Sequence, residues 1–242
     1  MKKFALVTGA TGAIGQAICE QLAADGWSLY LHYNTSEAKA TAMQRSLSER
    51  YPQAEYSTVQ ADLLSPLGAE QLVAQLFSLH AIVFASGQSH YALLEDTTAD
   101  DMSALWHVHV QNPMRIIALT ASKLRQHSVS YILFIGSIWG DIGAAFETVY
   151  SAVKGAQHSF VRAYAQEVAL SGTRVNAIAP GIVETTMNSH LDVAEKQEII
   201  NTIPLGYMAS CADISNVARF YLSGQANYVT GQIIRVNGGW HI

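Results

Sequence analysis

A short apolar run that breaks into a glycine turn and restarts as a helix narrows the folds open to this chain. Phe4-Ala-Leu-Val-Thr8 is β-rich, and Gly9-Ala-Thr11-Gly12-Ala13-Ile14-Gly15 follows at once. Apolar positions Ala13, Ile14, Ala17, Ile18 and Leu22 then recur at helical spacing towards Ala24, and Gly26 fits the helix stop. Strand, glycine turn and helix in that order is the context of a phosphate-binding turn, in which N–H groups at the helix start face a pyrophosphate and missing side chains let it approach. Gly9, Thr11, Gly12, Ala13, Ile14 and Gly15 are therefore candidate dinucleotide contacts. The competing reading is a tight turn with no ligand.

The pattern repeats along the chain. Ser28–Tyr33 reads as a second strand, a helix follows to about Arg50, and Tyr56–Val59 reads as a third strand leading into Ala61-Asp62-Leu63. Ala81–Ala85 reads as a fourth strand ending in Ser86-Gly87, a polar loop covers 88–98, and one apolar-periodic helix runs from about Asp100 to Arg125. Short strands alternating with helices predict a parallel sheet covered on both faces, a single doubly wound α/β domain over residues 1–242. Two details bear on the cofactor. A carboxylate at the second strand's end would bind a ribose 2′-OH, but Asn34, Thr35 and Ser36 stand there, which favours NADP; no Lys or Arg sits in the glycine turn or beside Asn34. Asp62 at a strand end either reaches an adenine or caps the next turn, and Leu63, Ala85, Ser86 and Gly87 share the same edge.

A second constellation carries chemistry. Tyr131–Ile135 is a buried-strand run that ends in Gly136-Ser137, and Tyr150-Ser-Ala-Val-Lys154 follows. Tyr150 and Lys154 sit one helical turn apart on one face, and an ammonium there draws a phenol below its ordinary value of about 10. Ser137 emerges where open α/β sheets keep their ligands. Trp139 lies at the same edge, where packing and substrate contact are equally open. His107 and His109, two apart on a helix, make a poor metal pair, and no other metal cluster is expected. His90 and Tyr91 stand in the loop that could line a substrate mouth.

Composition removes several classes. The 242 residues carry a net charge of −5, with 14 Lys and Arg against 19 Asp and Glu, which argues against a nucleic-acid surface. No apolar run is long enough to span a bilayer, so no membrane partner and a cytoplasmic site are expected. Cys19 and Cys211 are far apart and read as small core residues in a reducing compartment.

Taken with Arg174-Val-Asn-Ala-Ile-Ala-Pro180-Gly181, Thr185, Met187, Ile203-Pro-Leu-Gly206 and Tyr228-Val-Thr-Gly-Gln-Ile-Ile-Arg-Val-Asn-Gly-Gly239, these motifs resemble the short-chain dehydrogenase/reductase family end to end. Within it the chain looks most like the 3-oxoacyl-(acyl-carrier-protein) reductases of fatty acid metabolism. The resemblance implies a Rossmann-type fold, with Tyr150 as proton donor in reduction and Ser137 bonded to the substrate carbonyl. It also implies that Lys154 holds the nicotinamide ribose and lowers the Tyr150 pKa. Pro180, Gly181 and Ile182 with Thr185 would hold the nicotinamide carboxamide. Residues 184–206, with an acidic helix-like piece at Asp192–Ile200, are expected as a substrate lid. The C-terminal segment through Ile242 resembles the one that pairs subunits into homodimers or homotetramers.

Four positions depart from the family pattern. Ala13 replaces the middle glycine, and the spacing of Gly9, Gly12 and Gly15 matches a longer, epimerase-like branch. Phe84-Ala85-Ser86-Gly87 replaces Asn-Asn-Ala-Gly. His109 stands where the family has an active-site Asn, so it is expected as a fourth catalytic residue. Ser128 and Ser171 occupy positions where carrier-protein reductases have docking arginines, which argues against an acyl-carrier-protein partner. The expectation is NADP(H)-dependent reduction of a small-molecule carbonyl, 3-oxoacyl thioester-like. The alternatives are the same chemistry on a steroid, sugar or polyol, or a non-catalytic dinucleotide-binding sensor or scaffold.

Overall fold

The computed structural model describes residues 2–188 and 191–241, with the Met187 side chain excluded. Ser189 and His190 of the expected lid, the Met187 side chain of the resemblance and terminal Ile242 thus lie outside the described residues.

In chain order the elements are β1 (Phe4–Thr8), α1 (Ala13–Ala24), β2 (Ser28–Tyr33), α2 (Glu37–Arg50), β3 (Tyr56–Gln60), α3 (Gly68–Val73) and β4 (Ala81–Phe84). There follow α4 (Ala99–Trp106), α5 (Asn112–Leu124), β5 (Ser130–Ile135), α6 (Trp139–Ile142), α7 (Thr148–Val168), β6 (Thr173–Pro180), α8 (Val193–Thr202), α9 (Cys211–Leu222) and β7 (Ile233–Val236). The strands form one seven-stranded sheet in the order β3-β2-β1-β4-β5-β6-β7. Every pairing is parallel, with Val7 in register with both Leu31 and Val83.

Period-two alternation splits the core. Phe4 and Leu6 join Ile116, Ile117, Leu124, Val161 and Ala165 on the face covered by α5 and α7. Ala5 and Val7 join Ile18, Leu22, Leu47, Ile214 and Leu222 on the face covered by α1, α2 and α9. Burying each large aliphatic side chain is worth roughly 1.5–3 kcal/mol, so both sheet faces hold their helices firmly. This is the doubly wound arrangement the sequence predicts.

The chain winds outward through β2 and β3, then crosses back to β4 beside β1. The cleft at that reversal is the ligand position of such sheets. Local structure departs from expectation in two places. The helix expected as one piece from Asp100 to Arg125 contains a π-helical turn, His107–Gln111, between α4 and α5, a feature common at functional sites. Cys211, expected in the core, is only half-buried, while Cys19 is fully enclosed; both are free thiols.

Candidate active site

The glycine turn is shaped by what lies beneath it. Gly9 has φ +65°, and a Cβ there would fall 2.7 Å from the Ser86 backbone, so only glycine lets the β1 and β4 ends close together. The Thr8 and Ser86 hydroxyls bond each other at 2.9 Å across that junction. Below, buried His32 accepts the Gly9 N–H on Nδ1 at 3.0 Å and donates from Nε2 to the Ala61 carbonyl at 3.1 Å. Burial holds the imidazole down at about 4, so it stays neutral in this role. Nothing in a strand-like run marks His32 as a brace, and sequence reading missed it.

At the other end of the turn, Asn34 donates to Asp62 Oδ1 at 3.1 Å, and the Leu64 N–H donates to the same oxygen at 3.0 Å. Asp62 thus caps its own turn and fixes Asn34. Thr35 and Ser36 are exposed at the start of α2, where Ser36 makes no side-chain capping bond. Lys39, absent from the sequence reading, extends from α2 and donates to the Thr11 carbonyl at 2.5 Å. Helical spacing carries Lys39 back over a turn that precedes it by most of a βα unit.

A cleft of about 410 Å³ opens along the C-terminal ends of β4, β5 and β6. It is lined by Ser137, Tyr150, Lys154 and His109, by Ile14, Ala85, Ser86 and Gly87, and by Pro180, Gly181, Ile182 and Thr185. Gly9, Thr11, Gly12, Ala13, Gly15, Asn34, Thr35, Ser36, Asp62 and Leu63 are not among its lining residues; they belong to the β1–β2 side. Tyr91 lines the mouth and stacks on Phe146, with centroids 5.1 Å apart, but His90 does not line it. Leu191, Glu195 and Ile199 bring α8 and its approach over the cleft. The ends of this segment are pinned by the Val183–Ala209 bridge and by Leu205 N–H to the Gly238 carbonyl at 3.1 Å. Trp139 and the tail residue Trp240 meet edge-on at 5.2 Å and both line the cleft.

Ser137, Tyr150 and Lys154 are brought together as expected. The Tyr150 hydroxyl is hydrogen-bonded to Ser137, and the Trp139 N–H donates to Ser137 Oγ at 3.2 Å. Lys154 Nζ donates to the Ile135 carbonyl at 2.9 Å and lies 5.5 Å from the Tyr150 ring centroid. The electrostatics run against expectation. Burial, then the Glu147 carboxylate, push the Tyr150 phenol above its ordinary value, and the Ser137 hydrogen bond offsets this only in part. Lys154 is itself drawn down to about 7 by burial. Desolvation disfavours both charged forms, so Tyr150 is held as a protonated donor and Lys154 is poised to lose its charge near neutrality.

His109 is buried, lies edge-on to Tyr150 at 5.5 Å and bonds the Gln88 carbonyl through Nε2 at 2.9 Å. Nε2 is therefore the protonated nitrogen, and Nδ1 is a buried acceptor with no hydrogen-bond partner among the described residues. Burial and the nearby Lys154 push its pKa well below the ordinary value. Room for the ring comes from Gly87, where a Cβ would lie 2.4 Å from His109 Cε1. The His109 carbonyl accepts from Gln157 Nε2 at 2.6 Å. His107 faces elsewhere, with Nδ1 donating to the Leu64 carbonyl at 3.0 Å. Chemically, the floor offers a protonated phenol backed by a hydroxyl, the donor set that a carbonyl oxygen requires while its carbon is reduced.

The family described as enoyl-(acyl carrier protein) reductase matches residues 9–241. The uncharacterized oxidoreductase YmfI of Bacillus subtilis (strain 168) is 42% identical over 242 residues, covering 100% of both chains. The 3-oxoacyl-[acyl-carrier-protein] reductase FabG of Staphylococcus aureus is 30% identical, covering 100% of this chain and 99% of its own. Among solved structures, a blue fluorescent protein from a metagenomic library in complex with NADPH superposes with a TM-score of 0.91. It is 28% identical, and the match covers 99% of this chain and 98% of that one.

Proposed function

This chain belongs to the short-chain dehydrogenase/reductase family, and on that premise we propose that it uses NADPH to reduce a carbonyl, of the 3-oxoacyl thioester kind, to a secondary alcohol. The observation that carries this reading is the convergence of Ser137, Tyr150 and Lys154 at the floor of one cleft. The residues present fit a dinucleotide: α1 begins at the glycine turn with Gly12 as its cap, so its first N–H groups face the end of the sheet where a pyrophosphate would lie. Gly9, Thr11–Gly15, Asn34–Ser36, Asp62, Leu63 and Ala85–Gly87 would hold the adenosine and pyrophosphate side. Pro180, Gly181, Ile182 and Thr185 would hold the nicotinamide. The bound cofactor supplies the hydride.

The chain's own residues do the rest. Ser137 donates to the carbonyl oxygen and Tyr150 gives it the proton as negative charge develops there, a pairing of oxyanion stabilisation with general-acid catalysis. Lys154 binds the ribose beneath Tyr150. His109, neutral and fixed by Gln88, orients the Tyr150 ring. The 184–206 segment closes over substrate as a lid, and the half-buried edge strand β7 carries subunit pairing into a homodimer or homotetramer. Free thiols at Cys19 and Cys211 suit a reducing cytoplasm.

A carrier protein gives little advantage in this reading. Ser128 and Ser171 lack docking charge, and two nearby arginines are engaged: Arg162 with Asp141 at 3.7 Å, and Arg174 with the Asn227 carbonyl at 2.5 Å. The test is loss of NADPH and NADH absorbance over a panel of carbonyl compounds, with 3-oxoacyl groups on coenzyme A and on carrier protein. NADPH-preferring turnover of the thioesters supports the proposal. Tight NADPH binding with no turnover on any carbonyl would point to a non-catalytic sensor instead.

A further inference from the structure

The cleft is unusual in what faces the substrate beyond the catalytic floor. Lys154 is the sole Lys or Arg among its described lining residues, and its ammonium is already held by the Ile135 carbonyl. Two carboxylates line the same space. Glu147 is the N-cap residue of α7, one turn before Tyr150. Glu195 sits in the first turn of α8, where one oxygen accepts the Asp192 N–H at 2.8 Å and so holds the side chain at the helix start. The arginines nearest the wall are committed elsewhere: Arg235 donates to Asp141 at 3.1 Å, and Arg162 pairs with the same carboxylate. The remaining wall is apolar and aromatic, made by the Trp139–Trp240 pair with Ile182, Val183, Leu191 and Ile199. Trp240 is held there by its own N–H, which donates to the Asn237 carbonyl at 3.0 Å.

We propose that this site selects ketones whose substituent beside the carbonyl is uncharged and aromatic or apolar, seated against Trp139 and Trp240, and that Glu147 and Glu195 turn away a carboxylate or phosphate carried on that substituent. The inference rests on the reductase reading above and narrows its substrate class. Among the described residues, an anionic substituent entering the cleft finds no cation beyond Lys154 to pair with and meets like charge at Glu147 and Glu195. An apolar ring covers the indoles and gains both area and edge-to-face contact.

A matched pair tests it, because 4-acetylbenzamide and 4-acetylbenzoate differ in charge and hardly in shape. The amide is expected to have a kcat/KM at least about tenfold above the carboxylate, a margin of roughly 1.4 kcal/mol. In Glu147→Gln/Glu195→Gln the ratio should narrow, mainly through a lower KM for the carboxylate. Trp240→Ala, a change in the tail remote from the sheet core, should raise the KM for the amide more than that for 2-butanone. Indole fluorescence quenching reports binding of both ketones independently of turnover. A carboxylate that binds and reacts as well as the amide, or a ratio unmoved in the double variant, overturns the inference. If neither ketone nor any carbonyl compound of the panel above consumes NADPH, the reductase reading falls, while preferential quenching by the amide still supports the selectivity. Equal quenching by the two in that case sinks both.

Discussion

The Lys39 ammonium donates to the Thr11 carbonyl, joining the first turn of α2 to the glycine turn across 28 residues of chain. A positive charge therefore stands at the turn, beside the uncharged Asn34, Thr35 and Ser36, where sequence inspection finds no basic residue.

Lys39→Met is expected to weaken NADPH binding about tenfold, roughly 1.4 kcal/mol, while leaving NADH binding nearly unchanged, since only the former carries a 2′-phosphate. Calorimetric titration of both cofactors checks this. An equal loss for both would assign Lys39 to the turn's structure rather than to cofactor choice.

Tyr150→Phe removes one hydroxyl from the Ser137–Tyr150 pair and leaves the ring against His109. Turnover should fall by at least about 10²-fold with the NADPH dissociation constant retained. Single-turnover kinetics beside a binding titration separate the two effects; near-normal turnover would exclude the phenol as acid.

His109 and Gly87 form a size-matched pair. Gly87→Ala places a methyl 2.4 Å from His109 Cε1 and should destabilise the protein by about 1–3 kcal/mol. The shorter side chain of His109→Asn should recover part of that loss in the double variant, and a double-mutant cycle in urea measures the coupling. Because the imidazole is held neutral far below its ordinary pKa, wild type and His109→Asn should share the same pH dependence of kcat/KM between about pH 6 and 8. A limb near about 6.5 present only in the wild type would instead make His109 a titrating participant in the reaction.

Acid should unfold this protein early. His32 and His80 are both held down at about 4, chiefly by burial, and His80 also stacks on His127 at 3.4 Å. Between about 6.5 and 4 the unfolded chain binds more protons than the folded one, so stability is full above that window and is lost as pH falls through it. For His32 alone, a drop from 6.5 to about 4 corresponds to roughly 3 kcal/mol. Urea midpoints at about pH 7.5 and about pH 4.5 should show the loss, and His80→Asn should lose less than wild type. A flat midpoint would contradict it.

Much of the fold is legible before any coordinates. Ser28–Tyr33 appears as a strand over the residues expected, and the glycine turn opens α1 at Ala13, because alternation, helical spacing and turn glycines are written in neighbouring residues. The π-helical turn at His107–Gln111 is not legible in this way, since its period differs from an α-helix by one residue within an otherwise helical pattern. Cys211 escaped the core because a free cysteine reads as apolar wherever it falls.

The sequence by itself determined the first four strands, the helix that follows the glycine turn and the pairing of Tyr150 with Lys154 behind Ser137, because each is local or carried by short spacing, but it did not mark α3, α6, β6 or α9. Only the tertiary structure decided that Lys39 reaches Thr11, that His32 braces Gly9, that Trp240 returns to Trp139 and that Gly87 makes room for His109. It also reversed the sign expected at Tyr150. A neighbouring ammonium is visible in the spacing of two residues, but the water removed around a phenol depends on every element packed over it, and here that desolvation outweighs the hydrogen bond from Ser137.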